Sequence, residues 1–230
     1  MSYPHIVLVH GAWADGSSWN KIIPLLQQNG HAVTAVQPPL TSLADDVAAT
    51  ARALALINGP VLLVGHSYGG AVITNAGHDP KVLGLVFVAA FAPDEGEAVG
   101  DLGHEFPPPP GLAELRPDVT GFLSMTAQGV AENFAQDLPA PETQVMHAVQ
   151  KPTHGSVFGA KSGPAAWKTR PSWYVMATQD RMILPALQRK FVETMKAHTM
   201  TVPSSHVPML SHPAEVADFI DGAARTVAAT

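Results

Sequence analysis

The stretch Val61-Leu62-Leu63-Val64-Gly65-His66-Ser67-Tyr68-Gly69-Gly70 runs from a short Val- and Leu-rich segment straight into Gly-x-Ser-x-Gly. Ala71-Val72-Ile73-Thr74-Asn75-Ala76 follows at once in a helix-compatible pattern. Strand, tight turn and helix, in that order, make a nucleophile elbow of an otherwise loose motif. Such a turn strains the backbone at Ser67 and leaves room only for small neighbours, a need that Gly65 and Gly69 meet by lacking a Cβ. It lifts the Ser67 hydroxyl above the sheet edge, at the positive end of the following helix.

Outward from the elbow, strands alternate with helices. Short runs rich in β-branched residues lie at 6–10, 32–36, 61–65, 82–90, 172–178 and 199–202. Helical patterns fill 18–29, which stops at Asn29-Gly30, and 42–57, which enters through Ser42-x-x-Asp45 and leaves at Asn58-Gly59-Pro60. Two more helices, 185–196 and 213–229, begin at a proline. The alternation predicts an α/β fold: a sheet of about six mostly parallel strands with helices on both faces. Composition agrees, since 46% of the 230 residues are hydrophobic and 14% charged, against about 25% charged in an average globular protein. The length suits one core.

Residues 94–166 break the alternation. This segment holds Pro107-Pro108-Pro109-Pro110, several glycines, weak helical patches at 118–125, 129–136 and 142–149, and no convincing strand. A structureless stretch of this length is unusual in a compact domain, so the pattern predicts a short, mostly helical cap inserted after the fourth strand. The expected layout is a single domain, 1–230, with a core of 1–93 and 167–230 and a cap of 94–166. Phe106, Phe122, Leu123, Met125, Phe134 and Phe158 give the cap apolar material for a pocket wall.

The net charge is −6 and no basic run appears, which argues against nucleic acid or anionic membranes as partners. The apolar runs are strand-sized and broken by Gly or Pro, so no transmembrane helix is expected. Met1-Ser2-Tyr3-Pro4-His5 carries no leader pattern, and a cytoplasmic location is the default expectation. The chain lacks cysteine and has no His/Asp pattern with metal-ligand spacing, so neither a metal nor another cofactor is expected.

A serine hydroxyl needs a general base within reach, and the base needs an orienting carboxylate. After an elbow the expected chain order is Ser, then Asp or Glu, then His. His206, in Pro203-Ser204-Ser205-His206-Val207-Pro208, sits after the last strand, at the same sheet edge as Ser67. Most of the other histidines are misplaced: His31 and His198 precede strands, and His104, His147 and His154 fall in the insertion. His212 is the runner-up, beside the proline that starts the last helix. Asp180 is the carboxylate at the end of the fifth core strand, with Asp94 as the alternative. Two backbone N–H donors must face the developing oxyanion. Tyr68, after the nucleophile, offers one. The loop His10-Gly11-Ala12-Trp13 offers the other, from Ala12 or Trp13.

Together, Val9-His10-Gly11-Ala12-Trp13, the elbow, Asp180 and Ser205-His206 resemble the α/β-hydrolase superfamily over nearly the whole chain. Pro24-Leu25-Leu26, Gly30-His31-Ala32-Val33-Thr34-Ala35, Gln188-Arg189 after Pro185, and His206-Val207-Pro208-Met209-Leu210-Ser211 are similar to one branch of it. That branch contains the plant methylesterases, the salicylate-binding esterase, hydroxynitrile lyases and small bacterial esterases. The resemblance implies a triad of Ser67, Asp180 and His206 and an oxyanion hole of the Ala12 and Tyr68 amides; Trp13 and Val207, beside these residues, are expected in the substrate pocket. It implies a cofactor-free serine hydrolase of small carboxylic esters, with lactones and carbamates open to the same chemistry and a homodimer compatible with the branch. Two departures stand out: the cap is short, and Val207 occupies the position where the resembling lyases carry a lysine. A cyanohydrin lyase and a ligand-binding receptor on the same fold are the competing expectations.

Overall fold

The computed structural model describes residues 3–229; Met1 and Ser2, on which the absence of a leader was read, and Thr230 lie outside them. The chain opens with β1 (His5–Val9), a short helical turn at Gly16–Trp19, α1 (Ile23–Gln28) and β2 (Val33–Val36). It continues through α2 (Leu43–Ala55), β3 (Val61–His66), α3 (Gly69–Ala76) and β4 (Val82–Val88). The insertion follows: β5 (Leu115–Pro117), β6 (Phe122–Met125), α4 (Ala127–Gly129), a π-helical turn at Val130–Phe134, α5 (Ala140–Val149), β7 (Thr153–His154) and α6 (Ser156–Gly159). β8 (Ser172–Ala177), α7 (Pro185–Met195), β9 (His198–Val202), α8 (Pro208–Ser211) and α9 (Pro213–Ala228) complete it.

Six strands form one parallel sheet in the order β2-β1-β3-β4-β8-β9. Every residue of β3 and β8 is buried, as expected of central strands covered on both faces. Capping sets the helix ends. The Ser42 hydroxyl accepts from Asp45 N at 3.1 Å and donates to the Asp45 carboxylate at 2.7 Å, so the entry read from the sequence opens α2. α1 stops at Gly30, whose φ of +89° lets His31 N reach back to Leu26 O and Gly30 N to Gln27 O. The single helix expected over 18–29 is instead a short turn and a separate helix, with Pro24 in the first turn of the second.

The chain leaves β1 toward β2 on one side and β3 toward β4 on the other. The crevice between β1 and β3 is therefore the topological switch point, where open α/β sheets place their ligands. The loop His10–Trp13 leaves β1 there, and Ser67 leaves β3 beside it.

The insertion carries helical elements, as expected of it, and beside them strands that were not expected: β5, β6 and β7 pair antiparallel as a small second sheet. The patch at 118–125, expected to be helical, is a turn and a strand. Asp118 Oδ1 accepts from the Thr120 and Phe122 amides, and Gly121 takes a φ of +88°. This side-chain-capped reversal competes with helix and wins. The patches at 129–136 and 142–149 are helical as expected. The small sheet is tied down by His154 N donating to Leu40 O and Trp13 Nε1 donating to Leu123 O.

Close packing at the elbow and open space elsewhere give opposite expectations for two glycines. A Cβ on Gly65 would lie 2.5 Å from the Gly69 carbonyl oxygen, whereas one on Gly222, inside α9, would meet nothing within 4 Å. Gly65→Ala is expected to cost about 2 kcal/mol or more. Gly222→Ala is expected to stabilise by about 0.5–1 kcal/mol. Urea unfolding of the two variants beside the parent chain measures both.

Candidate active site

Ser67 adopts φ +54° between β3 and α3, the strained left-handed conformation the elbow requires. Its carbonyl accepts from Phe91 N and its amide donates to Val88 O, so the end of β4 braces the turn. That end is itself pinned: the Tyr174 hydroxyl accepts from Ala90 N at 3.0 Å and donates to Ala90 O at 2.5 Å. The β1 loop comes so close that a Cβ on Gly11 would sit 2.6 Å from that of Ser67.

His206 Nε2 lies 2.8 Å from Ser67 Oγ, and His206 Nδ1 lies 2.7 Å from Asp180 Oδ2. The three side chains come from three loops at one sheet edge, and all are buried. Asp180 has further donors: the Met182 and Ile183 amides on Oδ1, and Gln188 Nε2 beside His206 on Oδ2. A carboxylate so surrounded is held in one rotamer and its charge is compensated without a cation. The alternative acid, Asp94, lies elsewhere and pairs with Lys168. His212, the runner-up base, pairs with Glu215 at 3.2 Å.

Ala12 and Tyr68 are buried and line the same cavity as Ser67, and no described hydrogen bond uses either N–H. A buried amide without an acceptor is rare, and two of them at one cavity wall suit an anionic oxygen. Trp13, next to Ala12, is also strained at φ +56°, its amide held by Thr153 Oγ1 at 3.1 Å. The Tyr68 hydroxyl donates to the buried carboxylate of Asp46, which also accepts from Leu40 N. Burial pushes the Asp46 carboxyl up against those two hydrogen bonds.

The cavity above Ser67 measures about 540 Å³. Of the expected pocket residues, Trp13, Phe106, Leu123 and Phe158 line it, joined by Phe91, Leu187 and the proline run. The other four do not. Phe122 turns away from the cavity to stack edge-on against His154, and Met125 is buried at the far end of β6. Phe134 and Val207 line a second, smaller hollow of about 290 Å³ that Trp13 shares. Both are drawn there because Phe134 packs edge-on against His206, at 4.9 Å between ring centres, and Val207 follows His206 on the side away from Ser67's cavity. Among the described residues, no group of three or more His, Cys, Asp or Glu could hold a metal ion. No described helix is long and apolar enough to cross a membrane.

Sequence reasoning noted Gln188 but missed its role: its Oε1 accepts from Ala177 N while Nε2 bridges Asp180 and Ile183 O. A signal existed: Gln188 shares the buried face of α7 with Leu187, Phe191 and Met195, where a polar residue needs a reason. It also missed the role of His66. This fully buried ring donates from Nε2 to the His206 carbonyl oxygen at 2.7 Å.

The six-stranded parallel sheet and the strand–turn–helix elbow at Ser67 define the α/β-hydrolase fold. The family model described as alpha/beta hydrolase family matches residues 6–219, and the chain belongs to that family. The chain is 28% identical to a pyrethroid hydrolase of Sphingobium wenxiniae over 97% of its own length and 90% of that relative's. It is 28% identical to methylesterase 18 of Arabidopsis thaliana, covering 99% of each chain, which places a relative in the branch the sequence resembles. The solved structure of a pyrethroid hydrolase from Sphingobium faniae superposes with a TM-score of 0.83 at 24% identity, covering 99% of both chains.

Two histidines at the site have a consequence for stability. Burial lowers His10 to about 4, opposed by its Nδ1–H bond to Gly11 O. Burial and the neighbouring His206 hold His66 well below its ordinary value. The unfolded chain binds a proton at each near pH 6.5 and the folded chain does not, so stability falls as pH drops from about 6.5 toward 4. His10 alone accounts for about 3 kcal/mol of that fall. His10→Asn is expected to flatten the pH dependence of urea unfolding over this window, and an unchanged slope would contradict the assignment.

Proposed function

We propose that the chain is a cofactor-free serine hydrolase of the carboxylesterase type, acting on small neutral esters through an acyl-enzyme. The observation that carries this reading is the unbroken hydrogen-bonded chain Ser67 Oγ–His206–Asp180 at 2.8 and 2.7 Å. Ser67 Oγ attacks the ester carbonyl carbon while His206 Nε2 takes its proton. Asp180 holds Nδ1–H and balances the imidazolium. The Ala12 and Tyr68 amides receive the negative oxygen of the tetrahedral intermediate. Collapse breaks the bond to the alkoxy oxygen, which leaves as the alcohol with the proton from Nε2. Water then attacks the acyl group, giving its proton to His206, and Ser67 is restored as the acid departs.

The lining of the main cavity supports an apolar substrate. Phe91, Phe106, Phe158, Leu123 and Leu187 surround it, its described lining holds no carboxylate or ammonium, and its titratable residues are His104 and Tyr68, whose hydroxyl is taken up by Asp46. Relatives named pyrethroid hydrolase and methylesterase agree with ester cleavage. Val207 disfavours the lyase alternative, because no cation stands after His206 to hold a leaving cyanide.

Ser67→Ala is expected to abolish turnover of p-nitrophenyl acyl esters while circular dichroism and the unfolding midpoint stay near those of the parent. Asp180→Asn is expected to lower kcat by about 10⁴-fold, since it favours the wrong histidine tautomer. Substantial turnover in Ser67→Ala would end the mechanism. Slow turnover by the parent with tight ligand binding would favour the receptor.

A further inference from the structure

We propose that residues 132–137 of the insertion clamp the two loops bearing Asp180 and His206, with Gln136 and Asp137 as positioning residues; the inference rests on the serine hydrolase reading. Four contacts converge from this segment. Gln136 Nε2 donates to Gln179 O at 2.7 Å, one residue before Asp180. Asp137 Oδ2 accepts from Ser205 N at 2.8 Å, one residue before His206. Arg181, one residue after Asp180, donates from Nη1 to Glu132 O at 2.6 Å. Phe134 sets its ring edge-on to His206.

The two loops are already joined at their base, where Thr178 N donates to Val202 O and Gln179 N to Ser204 O. Beyond that base each has left the sheet, and the insertion takes over. The peptide around His206 is gripped from two directions: Asp137 holds Ser205 N–H from the insertion, and His66 holds His206 C=O from the elbow. A π-helical turn at Val130–Phe134 carries Glu132 and Phe134, and Ala135 breaks out of it at φ −141°, which redirects Gln136 and Asp137 toward the loops. Such turns recur at functional sites because they re-aim the residues that follow. The segment thus couples the folding of the insertion to the alignment of the base, and a misplacement of about 1 Å there costs on the order of a hundredfold in rate.

The test is the reaction of the whole chain with a fluorophosphonate, recording the fraction of molecules modified and the first-order rate constant at saturation. Asp137→Ala is expected to lower the rate constant about tenfold, with the reactive fraction and the half-saturating concentration unchanged. Asp137→Asn, which keeps an oxygen acceptor, is expected to recover most of the rate. Gln136→Ala is expected to lose rate in the same sense, and Val119→Ala, a fully exposed change elsewhere in the insertion, to lose none. The clamp is overturned if Asp137→Ala reacts at the parent's rate, if its loss lies in the reactive fraction, or if Asp137→Asn is as slow as Asp137→Ala. A parent chain that never reacts overturns the nucleophile itself, a result distinct from these.

Discussion

The structure depends on one strained residue. Ser67 sits at φ +54°, a conformation costing on the order of 1–3 kcal/mol in a residue with a Cβ. It persists because its surroundings leave no other. β3 is buried along its whole length, Phe91 and Val88 hold both peptide groups of Ser67, and Tyr174 fixes the end of β4. Gly69 lies so close to β1 that a Cβ would stand 2.5 Å from Val9 O. The strain is the means by which a strand-to-helix turn holds a hydroxyl up into a cavity.

The rest of the site follows from the sheet. Parallel strands send all their carboxyl-end loops to one edge, so residues far apart in sequence meet without any long-range design beyond strand order. β1 brings the amide of Ala12, β3 the Ser67 hydroxyl, β8 the Asp180 carboxylate and β9 the His206 imidazole. Asp180 illustrates the local cost of such a meeting. A carboxylate buried this deeply is tolerable because backbone amides, Gln188 and His206 all donate to it. The apolar cavity walls then keep the dielectric low where those dipoles act.

Much of this was legible in the chain. Short length and β-branched content placed the six core strands within two residues, and the Ser42 cap and the Asn29-Gly30 stop placed the start of α2 and the end of α1. Ser67, Asp180 and His206, which the structure brings within hydrogen-bond distance, each follow a strand end, a position sequence encodes directly. The insertion was harder to read. Its small sheet rests on three strands of two to four residues, too short for periodicity, and its reversal is written in Asp118, Thr120 and Gly121 rather than in hydrophobic pattern. Pocket walls fared worst. Phe122 and Met125 are as apolar as Phe106 and Phe158, and only tertiary placement decides which of them meets the cavity. Contacts such as Asp137 to Ser205 join residues 68 apart with no local mark on either.

The central claim is that Ser67 is an activated nucleophile and that His206 activates it. Intact-mass spectrometry after exposure to a fluorophosphonate, with peptide mapping, tests it most directly. The account predicts one adduct per chain, on the peptide bearing Ser67, formed by the parent protein and lost in His206→Ala. No adduct on well-folded parent protein, or an adduct on another residue, would contradict it.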